Sequence, residues 1–97
     1  MLTVKIEHSL PYCVYVLLSE KDGYFCVGFT TGLPRRLDEH TDGRNTSTAP
    51  RRSFALIHYE CYRSRSDAER RQRYLKVAKG RRTLRFMLQD TLRAAND

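Results

Sequence analysis

The chain has 97 residues, enough for one domain around a single hydrophobic core. Its 18 Lys and Arg residues outnumber its 11 Asp and Glu residues, for a formal net charge of +7, and 14 of the 18 are Arg. No apolar run approaches the ~20 residues that span a bilayer, and the first residues lack the apolar stretch of a secretory signal. These features exclude a membrane-spanning protein and predict a cytoplasmic domain over residues 12–95, after an N-terminal leader over residues 1–11.

The positive charge is distributed unevenly along the chain. Residues 1–43 hold four basic and six acidic side chains, a net charge of −2, whereas residues 44–97 hold 14 and five, a net charge of +9. A basic half on a small domain is typical of proteins that bind polyanions, and the planar guanidinium of Arg suits phosphate. A solvated basic surface without a ligand is the alternative on composition alone.

Three cysteines, Cys13, Cys26 and Cys61, each lie within an apolar run. They form no C-x-x-C pair and their number is odd, which argues against a disulfide framework. Zinc would need His partners at ligand spacing, and the sequence has none. We therefore expect each cysteine to act as a small buried apolar side chain in a reducing compartment.

The first two predicted elements form a β-hairpin. The run YCVYVLLS over residues 12–19 has the length and the β-branched and aromatic content of a strand, and YFCVGFT over residues 24–30 predicts a second one. Asp22 and Gly23 between them favour the positive φ that a tight hairpin turn requires.

A short helix is predicted over residues 33–40. Arg36 and His40 are four positions apart and therefore share one face of this helix. Leu33 and Leu37 share a different stripe, which we expect to face the sheet.

A polar loop over residues 41–53 and a third strand over residues 54–62 follow. The loop mixes Arg with small hydroxyl side chains, which are the residue types that most often contact phosphate; a plain solvent-exposed loop is the alternative. In the strand, His58 is expected to make a local hydrogen bond. The aromatic residues Phe54, Tyr59 and Tyr62 interleave with Arg63 and Arg65 and are candidates to stack on a nucleobase, although aromatic residues that alternate along a strand are more often core residues.

The sequence of the last third of the chain predicts two helices. Ser66 to Glu69 fits a capping box that opens a helix running to about Val77, and Gly80 is expected to end it. A final helix over residues 81–95 carries an apolar face of Leu84, Met87, Leu88 and Leu92. The order ββαβαα predicts a single α/β domain of the α+β type, with a small three-stranded, mainly antiparallel sheet flanked by helices.

Arg36 and His40 are the first candidates for chemistry. A cation and an imidazole on one helix face are what phosphodiester hydrolysis uses, since one stabilises charge on the phosphate and the other moves a proton of the attacking water. Tyr15 in the first strand is a further candidate; its alternative is a core tyrosine with a satisfied hydroxyl. Basic residues around Gly80 either follow a nucleic-acid backbone or face water.

In this order the motifs resemble those of the GIY-YIG nuclease superfamily, specifically its small stand-alone members of the UPF0213 type. The first signature is CVY at residues 13–15, and the second is CVG at residues 26–28. Residues 33–40, LPRRLDEH, look like the family's L-x-x-R-L-x-x-H helix, and residues 68–76 match a later one. The resemblance covers about residues 11 to 93.

The resemblance implies a domain that cuts DNA phosphodiesters with one divalent ion, Mg²⁺ or Mn²⁺. Tyr15 matches the tyrosine of the first signature. Arg36 would stabilise charge on the scissile phosphate, and His40 would hold or deprotonate the attacking water. Other side chains and the strand glycine would contact DNA. These are Gly28, Arg35, Arg44, Thr48, Arg51, Arg52, Lys76, Lys79 and Arg81.

Two positions depart from the family pattern. Cys26 stands where the second signature has a catalytic tyrosine, and a thiol lacks the reach of a phenol. Gln72 stands where the family has its metal-binding glutamate, and Mg²⁺ prefers anionic oxygen; Glu69, one turn earlier, is a substitute ligand to consider. Three explanations of Gln72 remain: an engineered change, a natural loss of cleavage with retained binding, or weak metal binding through the amide carbonyl.

The sequence therefore predicts a DNA endonuclease that uses one divalent ion and that Gln72 impairs or inactivates. The alternative is a non-catalytic nucleic-acid-binding module descended from such a nuclease. Its DNA partner is single-stranded, nicked or branched, three forms between which the sequence does not choose. A monomer is the expected state, and the apolar face of the last helix permits a dimer.

Overall fold

A computed structural model of the protein describes residues 10–41 and 53–95. Along the chain these residues form β1 (Tyr12–Ser19), β2 (Phe25–Thr30), α1 (Leu33–Thr41), β3 (Phe54–Tyr62), α2 (Arg65–Lys76), α3 (Ala78–Met87) and α4 (Gln89–Ala95). The predicted α+β fold with an antiparallel sheet is confirmed. Most of the predicted leader and nearly all of the predicted loop, residues 1–9 and 42–52, lie outside the described residues. No helix in the described part of the chain is long and apolar enough to cross a membrane.

β1 is the central strand of the sheet. The strand order is β2-β1-β3, and β1 pairs with both neighbours in antiparallel register. Every residue of β1 from Cys13 to Ser19 is buried. Because successive side chains of a strand point to opposite faces, Val14 and Val16 face one side of the sheet while Tyr15 and Leu17 face the other.

The first of these faces carries the hydrophobic core, which α2 and α3 cover. Its buried side chains are Val14, Val16, Leu18, Phe25, Val27, Ala68, Leu75 and Leu84. Val16, Ala68, Leu75 and Leu84 are completely inaccessible to solvent. Burying a Val or Leu side chain contributes about 1.5–3 kcal/mol, so this face stabilises the fold and fixes the position of β1.

The hairpin turn has the predicted geometry. Gly23 has a φ of 73°, which glycine adopts without the steric cost that a Cβ brings. The Ser19 backbone N–H donates to the carbonyl of Tyr24 at 2.8 Å, and the Tyr24 N–H donates to the Asp22 carboxylate at 3.1 Å. These bonds close the turn between β1 and β2.

The prediction that Gly80 ends a helix is wrong. The break between α2 and α3 falls at Val77, whose backbone is extended (φ −86°, ψ 164°). Gly80 lies buried inside α3, where a Cβ would be only 2.6 Å from the carbonyl carbon of Tyr74 and 2.8 Å from the Cα of Leu75. Glycine at this position permits the start of α3 to approach the end of α2 closely. The contact is between two helices, so the local sequence rule for helix ends does not predict it.

The predicted capping box is also wrong. α2 begins at Arg65 after the N-cap residue Ser64, whose side chain makes no capping hydrogen bond. Ser66 therefore lies in the first turn. Glu69 pairs instead with Arg65, with 3.6 Å between the Nε and Oε1 atoms.

The predicted final helix is interrupted at Leu88, where the backbone leaves helical geometry (φ −110°, ψ 26°). The apolar stripe is nevertheless confirmed at three positions, since Leu84 is fully buried and Leu88 and Leu92 pack against the core. Met87 was expected on the same face but is 44% exposed. The turn at Leu88 changes direction so that a short α4 still reaches the core.

Glu60 of β3 ties the sheet to α2. Its carboxylate accepts two hydrogen bonds from the Arg71 guanidinium, at 2.9 and 3.1 Å, one from His58 at 2.7 Å and one from the Tyr62 hydroxyl. Burial alone would raise the pKa of Glu60, but the hydrogen bonds from Arg71, Tyr62 and His58 outweigh it and lower the pKa from 4.5 to about 2. The expected local hydrogen bond of His58 is thereby confirmed.

We predict that Glu60→Gln lowers the free energy of unfolding at pH 7 by about 1–3 kcal/mol, because the amide no longer satisfies the charged Arg71. A carboxylate with a depressed folded-state pKa stabilises the fold above its unfolded pKa of 4.5, and this contribution is lost as the pH falls to about 2. In urea titrations the difference between wild type and Glu60→Gln should therefore shrink across this window.

Asp67→Asn provides the control, because the Asp67 carboxylate is exposed and its pair with Arg70 lies on the surface. This variant should stay within about 0.5 kcal/mol of wild type. A Glu60→Gln difference that is independent of pH would contradict the prediction.

Candidate active site

Tyr15 lies in the middle of β1, on the sheet face opposite the core. Its register partners are Gly28 of β2 on one side and Tyr59 of β3 on the other. The Tyr15 ring lies over Gly28, because a Cβ on Gly28 would be 2.7 Å from Cε1 of Tyr15 and nearer still to Cζ and the hydroxyl oxygen. Residue 28 is therefore a glycine for lack of space. The alternative of Tyr15 as a core tyrosine with a satisfied hydroxyl agrees with its burial, since it is 3% exposed and its hydroxyl is hydrogen-bonded, and its catalytic role stays a prediction.

α1 brings His40 to that hydroxyl. The Tyr15 oxygen and His40 Nε2 are hydrogen-bonded at 2.9 Å, and the two rings meet edge to face with their centroids 5.7 Å apart. His40 is only 4% exposed. Leu33 and Leu37, which we expect to face the sheet, are both half-buried, and His40 is more buried than either. The imidazole is buried because Tyr15 gives it a hydrogen-bond partner.

The environment holds both rings in their neutral forms at neutral pH. Burial lowers the pKa of His40, and the nearby Arg36 lowers it further while Glu39 opposes this. Burial likewise raises the pKa of Tyr15 to about 12, against the opposing effect of Arg36 and with support from Cys26 and Glu39. A base role for His40 requires the tautomer in which Nε2–H donates to the Tyr15 oxygen, because Nδ1 of the neutral imidazole then keeps the lone pair that accepts a proton.

Arg36 is the charged member of the site. It shares a helix face with His40, as the spacing predicts, and a third of its side chain is exposed. Among residues 10–41 and 53–95, its carboxylate partner is Glu39, with 3.5 Å between Nη1 and Oε2. Sequence reasoning did not single out Glu39, although the i, i+3 spacing from Arg36 is the usual signal of such a pair. The site therefore holds one guanidinium whose partner is a partly exposed carboxylate.

Cys26 lies on the same sheet face as Tyr15 and Gly28, since it is two residues from Gly28 in β2 and pairs with Leu17. Its effect on the pKa of Tyr15 reflects its proximity to that ring. The structure thus brings together five of the residues singled out from the sequence. These are Tyr15, Cys26, Gly28, Arg36 and His40.

Gln72 lies on α2, in the layer on the other face of the sheet, and is half-buried. Its spacing from Ala68 and Leu75 places the three residues on one stripe of the helix. In residues 10–41 and 53–95, no group of three or more His, Cys, Asp or Glu side chains is arranged to hold a metal ion. Glu69, the possible substitute ligand, is paired with Arg65. A neutral amide does not fit the preference of Mg²⁺ for anionic oxygen, so the described residues do not match a Mg²⁺ site.

The predicted DNA-contacting residues fall into three groups. Arg35, Lys76 and Lys79 are exposed on helices. Arg81 is half-buried; it donates to the carbonyl of Lys76 at 3.2 Å and of Phe25 at 3.4 Å, so it joins α3 to β2. The remaining four lie outside the described residues. These are Arg44, Thr48, Arg51 and Arg52.

Two features of the site's sheet face depend on how β1 and β3 pair. Tyr59, opposite Tyr15, is 56% exposed, so it is not a core residue. Cys13 and Cys61 are also register partners, and their Sγ atoms are 2.7 Å apart. The signal for both is strand register, which becomes available only once the pairing of β1 with β3 is known.

Comparison with known proteins agrees with the motifs. A family model described as the GIY-YIG catalytic domain matches residues 11–85. A UPF0213 protein of Enterococcus faecalis is 41% identical over 66 residues, which cover 65% of this chain and 74% of that protein. A UPF0213 protein of Haloquadratum walsbyi is 36% identical over 64 residues, which cover 64% of this chain and 72% of that protein. A UPF0213 protein of Bacillus licheniformis is 30% identical over 63 residues, which cover 64% of this chain and 65% of that protein. No solved structure matches the chain.

We predict that Gly28→Ala lowers the free energy of unfolding by about 1–3 kcal/mol, because the added methyl group collides with the Tyr15 ring. Displacing the ring exposes His40 to water, so the pKa of His40 should rise towards its ordinary value of 6.5. Chemical denaturation and an NMR pH titration of the imidazole measure the two effects.

Gly32→Ala is the matched control, because the nearest atoms to a Cβ there belong to the Arg35 side chain at 3.9 Å. It should leave both quantities nearly unchanged. If Gly28→Ala behaves in the same way, the Tyr15 ring does not occupy the position described here.

Proposed function

The chain belongs to the GIY-YIG family, and from that premise we propose that it is a DNA endonuclease whose hydrolytic step is weakened by Gln72. The observation that carries the proposal is the buried hydrogen bond between Tyr15 and His40 beside the guanidinium of Arg36. This arrangement places an anion-binding group next to a neutral base. Those are the two functions that attack of water on a phosphodiester needs from a protein.

Each of the three side chains has a role that follows from its environment. Arg36 stabilises the negative charge that builds up on the phosphate during attack. His40 accepts a proton from the attacking water, since its depressed pKa leaves the imidazole neutral at physiological pH. Tyr15 orients the imidazole through the 2.9 Å hydrogen bond and keeps its own proton, since its pKa is raised to about 12.

Cys26 makes the base function of His40 more important. A cysteine side chain is shorter than a tyrosine side chain, so it does not reach the position that a phenol in β2 would occupy. Of the three side chains Tyr15, Arg36 and His40, His40 is then the one able to take the proton, because Tyr15 is protonated and Arg36 cannot be deprotonated.

The charge of the protein supports DNA as the partner. The formal net charge is +7, and Arg35, Lys76 and Lys79 are exposed. Arg44, Thr48, Arg51 and Arg52 remain predicted DNA contacts. Basic and hydroxyl side chains of this kind contribute phosphate contacts whose strength falls with salt.

The role of position 72 in hydrolysis is taken from the family pattern, because α2 packs on the sheet face opposite Tyr15, Arg36 and His40. Members of this family use a divalent ion, Mg²⁺ or Mn²⁺, and here the amide of Gln72 offers it no negative charge. This observation favours a second candidate function, a module that binds nucleic acid without cutting it. We assign no step of the reaction to a metal ion in the wild-type protein.

We predict that Gln72→Glu increases DNA cleavage by about 10²-fold or more, the order by which one electrostatic partner changes catalysis. Wild type, Gln72→Glu and Gln72→Ala are incubated with single-stranded, nicked and branched DNA in Mg²⁺ or Mn²⁺, and products are resolved on denaturing gels. Adding Arg36→Ala to Gln72→Glu should abolish the gain.

Salt-dependent DNA binding by all variants without cleavage by any of them would establish the binding module instead. If Gln72→Ala gained activity as Gln72→Glu does, the charge at position 72 would not be the cause. Neither cleavage nor binding at low salt would refute both functions.

A further inference from the structure

The strongest unassigned feature is Tyr59, which lies beside Tyr15 on the active-site face of the sheet. The two are direct register partners in adjacent antiparallel strands, and the Cβ atoms of such partners are about 4.5–5.5 Å apart. Tyr15 is 3% exposed and Tyr59 is 56% exposed. Two neighbouring tyrosines on one face therefore have opposite environments.

The difference comes from the direction of the Tyr15 ring. That ring lies over Gly28 of β2 and bonds to His40, so it points away from β3. Space above β3 is thereby left to Tyr59. A bulge at Ile57 lets Leu56 pair with Leu17, so Leu56 returns to the same face, where it is 39% exposed. Tyr59 and Leu56 form an exposed apolar strip next to the phosphodiester-directed groups.

We infer that Tyr59 is a stacking site for an unpaired nucleobase of the nucleotide next to the phosphodiester held at Tyr15, Arg36 and His40. The inference rests on the proposed function and adds the substrate class, which is single-stranded or locally unpaired DNA. A base inside a duplex has both faces covered by its neighbours, so it cannot stack on Tyr59 without leaving the helix.

A nucleobase suits this strip better than a protein partner. Stable protein interfaces bury about 800 Å² on each side, whereas one aromatic ring and one leucine match a single planar base. The positive charge of the protein attracts the phosphates on both sides of that base. β3 is an edge strand of the sheet, so a flexible strand reaches Tyr59 from the side.

We predict that Tyr59→Ala weakens binding of a fluorescently labelled single-stranded DNA by about 5- to 150-fold and leaves binding of the matching duplex unchanged. Tyr59→Phe should retain the wild-type affinity, because it keeps the ring. Phe86→Ala is the control, since Phe86 is 75% exposed on α3, in the layer across the sheet. It should leave both affinities unchanged.

Equal loss of single-stranded and duplex binding in Tyr59→Ala, or no loss, would overturn the stacking site while the proposed function stands. Absence of DNA binding by the wild type at low salt would overturn both. A melting curve for each variant excludes unfolding as the cause, and binding is measured without metal so that cleavage does not enter the result.

A second inference rests on a separate observation, the pair of Cys13 and Cys61. The two residues are register partners in β1 and β3, and their Sγ atoms are 2.7 Å apart although they are not bonded. Cys13 is buried and Cys61 is half-buried. The expectation of three independent apolar cysteines is therefore incomplete, because strand pairing brings two of them together.

We propose that Cys13 and Cys61 form a reversible intramolecular disulfide by exchange with a small disulfide such as glutathione disulfide. The more accessible Cys61 thiolate attacks one glutathione sulfur, which forms a mixed disulfide and releases one glutathione thiol. The Cys13 thiolate then attacks Cys61 Sγ and releases the second glutathione. The two cysteine protons end on the two glutathione thiols, so two electrons pass from the protein to the small disulfide.

The second step is expected to be the slower one. Burial raises the pKa of Cys13 to about 11, and the neighbouring Cys61 raises it as well, so little Cys13 thiolate is present at neutral pH. The closed disulfide would link the central strand to β3 and reduce the freedom of the unfolded chain between residues 13 and 61.

We predict that Cys26→Ser protein, which keeps only this pair, loses the mass of two hydrogen atoms after incubation with glutathione disulfide and melts at a higher temperature than its reduced form. Cys61→Ser and Cys13→Ser should show neither change. A lasting glutathione adduct on the Cys26→Ser protein, a disulfide-linked dimer or an unchanged mass would overturn the proposal.

Discussion

The buried hydrogen bond between Tyr15 and His40 is the constraint on which the arrangement of the site depends. An imidazole and a phenol are costly to bury without partners, and here each provides one for the other at 2.9 Å. The bond fixes α1 over the sheet and places Arg36, one turn before His40, at the same position. It also requires glycine at residue 28, because the ring reaches His40 only by crossing the space of a Cβ. One interaction therefore accounts for the position of α1, the position of Arg36 and the glycine at residue 28.

The two faces of β1 have different roles: one contributes to the hydrophobic core and the other to the candidate site. Val14 and Val16 belong to the hydrophobic core, while Tyr15 between them belongs to the site. Residue 72 lies on α2, which packs on the core face of the sheet. The burial of Leu75 and the bidentate bond from Arg71 to Glu60 hold α2 there. Gln72 is half-buried on the stripe of α2 that carries Ala68 and Leu75, so Gln72→Glu places a charge on a partly covered position. The stability of this variant is therefore measured together with its cleavage activity.

Much of this arrangement is visible in the sequence. Strand periodicity, the Asp22-Gly23 turn and the four-residue spacing of Arg36 and His40 are local signals, and each predicts its feature correctly. Two errors are local, since α2 has its N-cap at Ser64 and the last helix is interrupted at Leu88. The other errors concern contacts between elements. Gly80 matches a local helix stop but provides room for Tyr74, and the contact of Cys13 with Cys61 depends on strand register. The exposure of Tyr59 depends on the direction in which a neighbouring ring turns, which no single-strand pattern encodes.

The ion pair between Arg36 and Glu39 is weak enough for a phosphate to replace Glu39 as the partner of the guanidinium. The closest approach of the two side chains is 3.5 Å and both are about a third exposed, so their pairing contributes about 1 kcal/mol or less. A phosphate, with more charge and several acceptor oxygens, competes for the guanidinium at small cost. Burial lowers the pKa of His40, and the same guanidinium lowers it further. In the proposed reaction, Arg36 would therefore contribute both to binding the phosphodiester and to the protonation state of His40.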